Sequence, residues 1–122
     1  MATAADTEIA ETLTDILRPY EDRLDVVGGG AGGYYVQTRK PYQRKTPLMF
    51  GGVRAGKAYV SFHLVPLYMY EELKATLSPA LRKRMQGKAC FNFKAMPEPA
   101  LLEELRALTA AGFRKFVTMG FV

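Results

Sequence analysis

Two stretches of this chain contain no carboxylate. No Asp or Glu lies between Asp25 and Glu71, and none lies between Glu72 and Glu98. Both stretches read as the strand-rich middle of the protein. A sheet without acids supplies neither a carboxylate pair for acid–base work nor hard oxygen ligands for a metal. Cysteine occurs once, at Cys90, and histidine once, at His63. One cysteine excludes an internal disulfide and fits a reducing compartment. No apolar run approaches the roughly 20 residues that a membrane-spanning helix needs. The start, Met1-Ala2-Thr3-Ala4-Ala5-Asp6, has no basic end and no apolar core, so it does not read as a signal peptide. These absences lead to the expectation of a cytoplasmic protein with no membrane partner.

What is present is ordinary in amount and uneven in placement. A length of 122 residues predicts one domain over 1–122, with residues 1–6 flexible. Such a chain buries roughly two-thirds of its unfolded surface and needs no covalent staple. Apolar residues at 48% and charged residues at 24% suit a folded domain rather than a disordered one. The net charge of +5 conceals an asymmetry. Residues 1–25 hold seven acids and two bases, whereas the other 97 residues hold five acids and fifteen bases. The basic part attracts anions.

Apolar spacing predicts a first helix through Ile9, Leu13, Ile16 and Leu17, broken near Leu17 by Pro19. A glycine run, 28–33, formally matches G-x-G-x-x-G. It leads into Tyr34-Tyr35-Val36-Gln37-Thr38, which is strand-like, whereas a dinucleotide loop opens a helix. It is therefore expected to be a turn. Strands are expected at 34–38 and 48–53, with a basic loop from Arg39 to Thr46 between them and a hairpin turn over Arg54-Ala55-Gly56-Lys57. The segment from Ala58 to Val65 alternates most clearly: Val60, Phe62 and Leu64 face one side, Tyr59, Ser61 and His63 the other. A helix is expected over 67–77. Ser78-Pro79 signals the start of another, running to Gln86. Cys90 to Lys94 alternates again, with Phe91 and Phe93 opposite Cys90, Asn92 and Lys94. A last helix opens near Pro97-Glu98-Pro99 and is expected to stop at Gly112. The sum is an α+β fold: a mostly antiparallel sheet of about five strands with N- and C-terminal helices on one face.

If the two alternating strands share a sheet, their polar sides share a face. Arg54, Tyr59, Ser61, His63, Asn92 and Lys94 then form a candidate site for a small anionic or polar ligand. The same pattern is also expected of the solvent side of any half-exposed sheet. Three other readings stand beside it. Glu8, Glu11, Asp15 and Asp22 could hold a metal on the acidic first helix. Cys90 beside His63 would be a thiolate–imidazolium nucleophile. Basic clusters at Arg39-Lys40, Arg44-Lys45 and Arg82-Lys83-Arg84 near Lys88, with Tyr34, Tyr35, Phe91 and Phe93 as stacking faces, could follow nucleic acid. No recognised nucleic-acid motif accompanies them, so nucleic acid is not the expected partner. Binding without catalysis and without a cofactor is the preferred expectation. A homodimer is compatible with it.

One region has a familiar form. Tyr59-Val60-Ser61-Phe62-His63-Leu64-Val65-Pro66-Leu67-Tyr68, then Leu77-Ser78-Pro79, Lys83-Arg84-Met85-Gln86-Gly87-Lys88 and Cys90-Phe91-Asn92-Phe93-Lys94, resembles the YdhG-like family of small bacterial domains of unknown function. The likeness covers roughly residues 48–116, and its most specific part is Gln86 to Lys94. It implies an α+β domain with helices on one face of an antiparallel sheet. Some YdhG-like proteins are described as frataxin-like iron chaperones, and frataxins use an acidic first helix. The resemblance thus implies iron as the cofactor or cargo of the alternative built on Glu8, Glu11, Asp15 and Asp22. The glycine run departs from the family pattern.

Overall fold

The structure is a computed structural model that describes residues 4–28, 33–42, 46–56, 58–87 and 89–122. Helix α1 (Ala4–Leu17) buries Ile9, Leu13, Ile16 and Leu17 along one stripe. It gives way at Pro19 to a single 3-10 turn, Arg18–Tyr20, because proline lacks the amide hydrogen that would extend the helix. The helix takes in residues from Ala4 onward, although 1–6 read as a flexible start. Six strands follow: β1 (Asp25–Gly28), β2 (Tyr34–Tyr42), β3 (Thr46–Ala55), β4 (Val60–Leu64), β5 (Met85–Gln86) and β6 (Cys90–Phe93). They form one sheet in the order β1-β2-β3-β4-β6-β5, with every neighbouring pair antiparallel.

Between β4 and β5 lie three short helices, α2 (Val65–Met69), α3 (Glu71–Lys74) and α4 (Pro79–Arg82). Helix α5 (Pro99–Thr118) closes the fold. Helix α1 lies against β3 and β4, and α5 lies against α1 and α2. The core between helices and sheet holds Phe50, Phe62, Phe91, Phe93 and Phe116, all fully buried. Phe50 meets Phe116 edge-on at 5.3 Å between ring centres, joining β3 to α5. This is the expected α+β architecture, with one strand more than the five anticipated.

Several local expectations are corrected. The segment 39–46 is largely strand, because β2 and β3 continue as a ribbon to Pro41↔Pro47 and Tyr42↔Thr46; residues 43–45 lie outside the described residues. Strand β1 pairs with β2 although its four residues are exposed and carry no alternation. The helix expected over 67–77 is two short helices, broken where Tyr70 adopts an extended backbone. Ser78 caps α4 as expected, its hydroxyl accepting from Leu81 N. That helix ends at Arg82 rather than Gln86, and Met85–Gln86 pairs with β6 instead. Helix α5 runs through Gly112 to Thr118. A Cβ at Gly112 would sit 2.9 Å from Pro66 Cβ and Cγ, so glycine here permits a close approach of α5 to α2. The cost of a mid-helix glycine, about 1 kcal/mol, is offset by packing of the helix end through Phe113 and Phe116. The glycine turn joins β1 to β2, with Gly28 and Gly33 at positive φ; residues 29–32 lie outside the described residues. A strand, not a helix, follows it. The Arg54–Lys57 turn closes with Gly56 N donating to Tyr59 O at 2.9 Å, and Lys57 lies outside the described residues.

Candidate binding face of the sheet

The two alternating strands are neighbours, and their register sets what they share. Val60 opposes Phe93 and Phe62 opposes Phe91, all four buried under the helices. Ser61 therefore opposes Asn92, and His63 opposes Cys90, on the other face. On the far side of β4, Ser61 opposes Arg54 and His63 opposes Gly52. All six expected residues line cavities that share walls: Tyr59, Asn92 and Lys94 line one, Arg54, Ser61 and His63 a second, and Arg54, Tyr59 and Ser61 a third. Lys94 lies just past the end of β6 and Tyr59 just before β4.

A directed hydrogen-bond chain crosses the face. The Ser61 hydroxyl donates to Asn92 Oδ1 at 2.8 Å, and Asn92 Nδ2 donates to Gln86 Oε1 at 2.6 Å. Burial pushes the Cys90 thiol up and the His63 imidazole down from their ordinary ranges. Both groups are thus held neutral at neutral pH. A thiolate–imidazolium pair is disfavoured from both sides, and the nucleophilic reading of Cys90 and His63 loses its activated sulfur.

Two concavities flank this chain. One, of about 440 Å³, is lined by Lys83, Arg84, Lys94, Gln86, Asn92 and Tyr59, with Met85 in its wall. The other, of about 300 Å³, is lined by Tyr35, Met49 and Gly52 beside Arg54, His63 and Cys90, with Ser61 between. Neither contains a carboxylate. Ion pairs elsewhere in the described residues occupy Arg18, Arg39, Lys74, Arg106 and Lys115. Among the described residues, Arg54, Lys83, Arg84 and Lys94 have no carboxylate within ion-pairing distance, and the Arg84 guanidinium lies over the Phe93 ring at 5.9 Å from its centre.

The sequence did not single out Tyr35, Met49, Gly52, Gln86, Lys83 and Arg84 for this face. Tyr35 was legible from its β2 alternation. Gln86 was not, because a two-residue strand leaves no period to read.

The acidic helix is arranged differently. Arg18 Nη1 donates to Glu11 Oε1 at 2.7 Å and also to Asp15 Oδ1, so two of the candidate metal carboxylates share one guanidinium. Among the described residues no three His, Cys, Asp or Glu side chains converge as a metal site, and Glu8 and Asp22 do not join Glu11 and Asp15. The stacking faces proposed for nucleic acid are also separated. Phe91 and Phe93 are fully buried, and the Tyr34 hydroxyl donates to Glu21 at 2.6 Å. Arg39 is paired with Asp25, while Arg44, Lys45 and Lys88 lie outside the described residues. No described helix is long and apolar enough to cross a membrane. No family model, curated protein or solved structure matches the chain.

Proposed function

We propose that this protein is a binding domain that takes a small anionic molecule on the helix-free face of its sheet, without catalysing a reaction. The observation that carries this reading is the cluster of Lys83, Arg84 and Lys94 around one cavity with no carboxylate in its wall. Like charges held together without a counter-ion create a positive potential that a bound anion relieves. Asn92 and Gln86 add amide groups whose orientation is already set by their mutual hydrogen bond, so less ordering accompanies binding. Arg54, Ser61 and His63 extend the polar surface toward β3. The neutral thiol and imidazole support binding rather than covalent chemistry. We also propose that the chain is a YdhG-like domain. Its antiparallel sheet with helices on one face supports this, together with the string from Gln86 to Lys94.

A thermal-shift series with inorganic phosphate, sulfate, acetate and citrate tests the proposal. Stabilisation by the multivalent anions that Lys94→Ala reduces is the expected result. A flat response across the whole series overturns it.

A further inference from the structure

The second cavity is built around a tyrosine ring that two glycines admit. A Cβ at Gly52 would come within 2.1 Å of Tyr35 Cδ1 and 2.5 Å of its Cε1. A Cβ at Gly33 would come within 3.2 Å of Tyr35 Cε2 and 3.4 Å of Arg54 Cβ. The Tyr35 ring therefore packs against Gly52 on β3, while its other edge and the stem of Arg54 approach one point beside Gly33. Arg54 follows Gly52 along β3, Met49 precedes it, and both line the cavity with Tyr35. A ring, a guanidinium and a thioether thus surround one glycine on two neighbouring strands, β2 and β3.

Among the described residues, Arg54 is the one charged side chain in this wall. His63 stands opposite Gly52 on β4, and burial lowers its pKa, so its imidazole is neutral at neutral pH. Ser61 gives its hydroxyl hydrogen to Asn92 and has none left for an anion. Arg54 itself is exposed and has no carboxylate within ion-pairing distance among the described residues. A guanidinium holds a carboxylate through two parallel N–H donors, and one cation matches one negative charge. The rest of the wall is apolar or soft: the Tyr35 ring, the Met49 thioether and the neutral Cys90 thiol. Rings and thioethers pack favourably against an aromatic ring. A volume of about 300 Å³ lies at the lower end of the range for small-molecule pockets, roughly 300–1,000 Å³.

We propose that this cavity binds an aromatic monocarboxylate, its carboxylate on Arg54 and its ring against Tyr35 and Met49. The two recognition elements are neighbours beside Gly33, so a carboxylate joined to a ring by one or two bonds reaches both. This is a second compartment with a ligand of its own, and it goes beyond the anion reading above. Lys83, Arg84 and Lys94 line the first cavity on the β5–β6 side of the sheet, and none of them lines this one.

Calorimetric titration of the full chain with phenylacetate, acetate, hexanoate and 2-phenylethanol tests this. Phenylacetate is expected to bind about tenfold more tightly than acetate, which lacks the ring, and than 2-phenylethanol, which lacks the charge. Hexanoate should fall between acetate and phenylacetate. Arg54→Gln should weaken phenylacetate about tenfold, and Met49→Ser by a smaller factor. Both residues are exposed, so neither change endangers the fold. Lys94→Ala should leave phenylacetate binding unchanged. Phenylacetate binding no tighter than acetate or hexanoate overturns the aromatic assignment. Loss of binding in Lys94→Ala with none in Arg54→Gln moves the carboxylate to the first cavity, which overturns the second site and leaves the anion reading in place. Phenylacetate binding that needs Arg54, with no response to inorganic phosphate, supports this site and removes the anion reading alone. No binding of phenylacetate overturns the proposal.

Discussion

The Ser61 hydroxyl donates to Asn92 at 2.8 Å across two strands whose residues are 31 positions apart in the chain. The bond joins β4 to β6 on the face away from the helices, in the same row as Arg54. Asn92 is at once acceptor from Ser61 and donor to Gln86, so its amide is fixed at both ends. Asn92→Ala should therefore lower stability by about 1 kcal/mol, the net worth of a half-buried hydrogen bond. It should also weaken phosphate binding by freeing Gln86. Urea unfolding and titration with phosphate check the two effects on one variant. Unchanged stability together with unchanged binding would show that the amide orders nothing.

Gly52→Ala tests the close packing of Tyr35 against β3. The added methyl cannot share space with Tyr35, so the ring must lift from the sheet. The expected outcome is a loss of roughly 1–3 kcal/mol in urea unfolding, typical of overpacking. Gly112→Ala should destabilise by a similar amount through Pro66, with no effect on binding.

His63 makes stability depend on pH in a defined window. Burial lowers its folded-state pKa below the ordinary value of 6.5, so the unfolded chain binds its proton more readily. Its contribution is present above pH 6.5 and is lost as pH falls from 6.5 through the lower folded pKa. Denaturant unfolding between pH 7.5 and about pH 5.5 should show stability decreasing with acid. His63→Gln should flatten that slope. A slope that is equal in the variant would place the titration on other groups.

Cys90 should be a sluggish thiol. Burial raises its pKa, so the reactive thiolate is scarcer than in an exposed cysteine. Reaction with a disulfide reagent at pH 7.5 should be slower in the folded protein than with a model thiol, and denaturant should abolish the difference. Faster reaction in the folded state would revive the nucleophilic role set aside above.

Ser78 holds two elements together. Its hydroxyl caps α4 through Leu81 N, and both its backbone N–H and its hydroxyl meet Glu104 of α5, at 2.8 and 2.6 Å. Ser78→Ala should cost about 1–2 kcal/mol in thermal or urea unfolding, the range of a lost N-cap. A double-mutant cycle with Glu104→Gln should show coupling between the two.

The strand faces at 60–64 and 90–93 were legible because alternation is a local property: apolar and polar side chains change sides at every residue whatever the strand pairs with. The helix break at Pro19 and the cap at Ser78 are local too, and both stand where the sequence places them. Strand β1 was not legible. Its exposed Asp25-Val26-Val27-Gly28 has no apolar side, and only β2 holds it in the sheet. Gly112 misled for a related reason. Glycine commonly ends a helix, and only the nearness of Pro66 accounts for its place inside α5.

The chain by itself determined that strands β2 to β6 carry no acid of their own, because 45 consecutive residues after Asp25 and 25 after Glu72 contain none; Asp25, on the edge strand β1, is the one acid in the described strands. The chain also determined which side chains of β4 and β6 turn away from the helices. Tertiary structure alone decided that these strands are neighbours, that Lys83 and Arg84 meet Lys94 around one cavity, and that the Tyr35 ring packs against Gly52. Those relations depend on pairing between distant segments. Pairing is chosen by the burial of Phe62 against Phe91 and Val60 against Phe93 in the common core, a choice that no local period records.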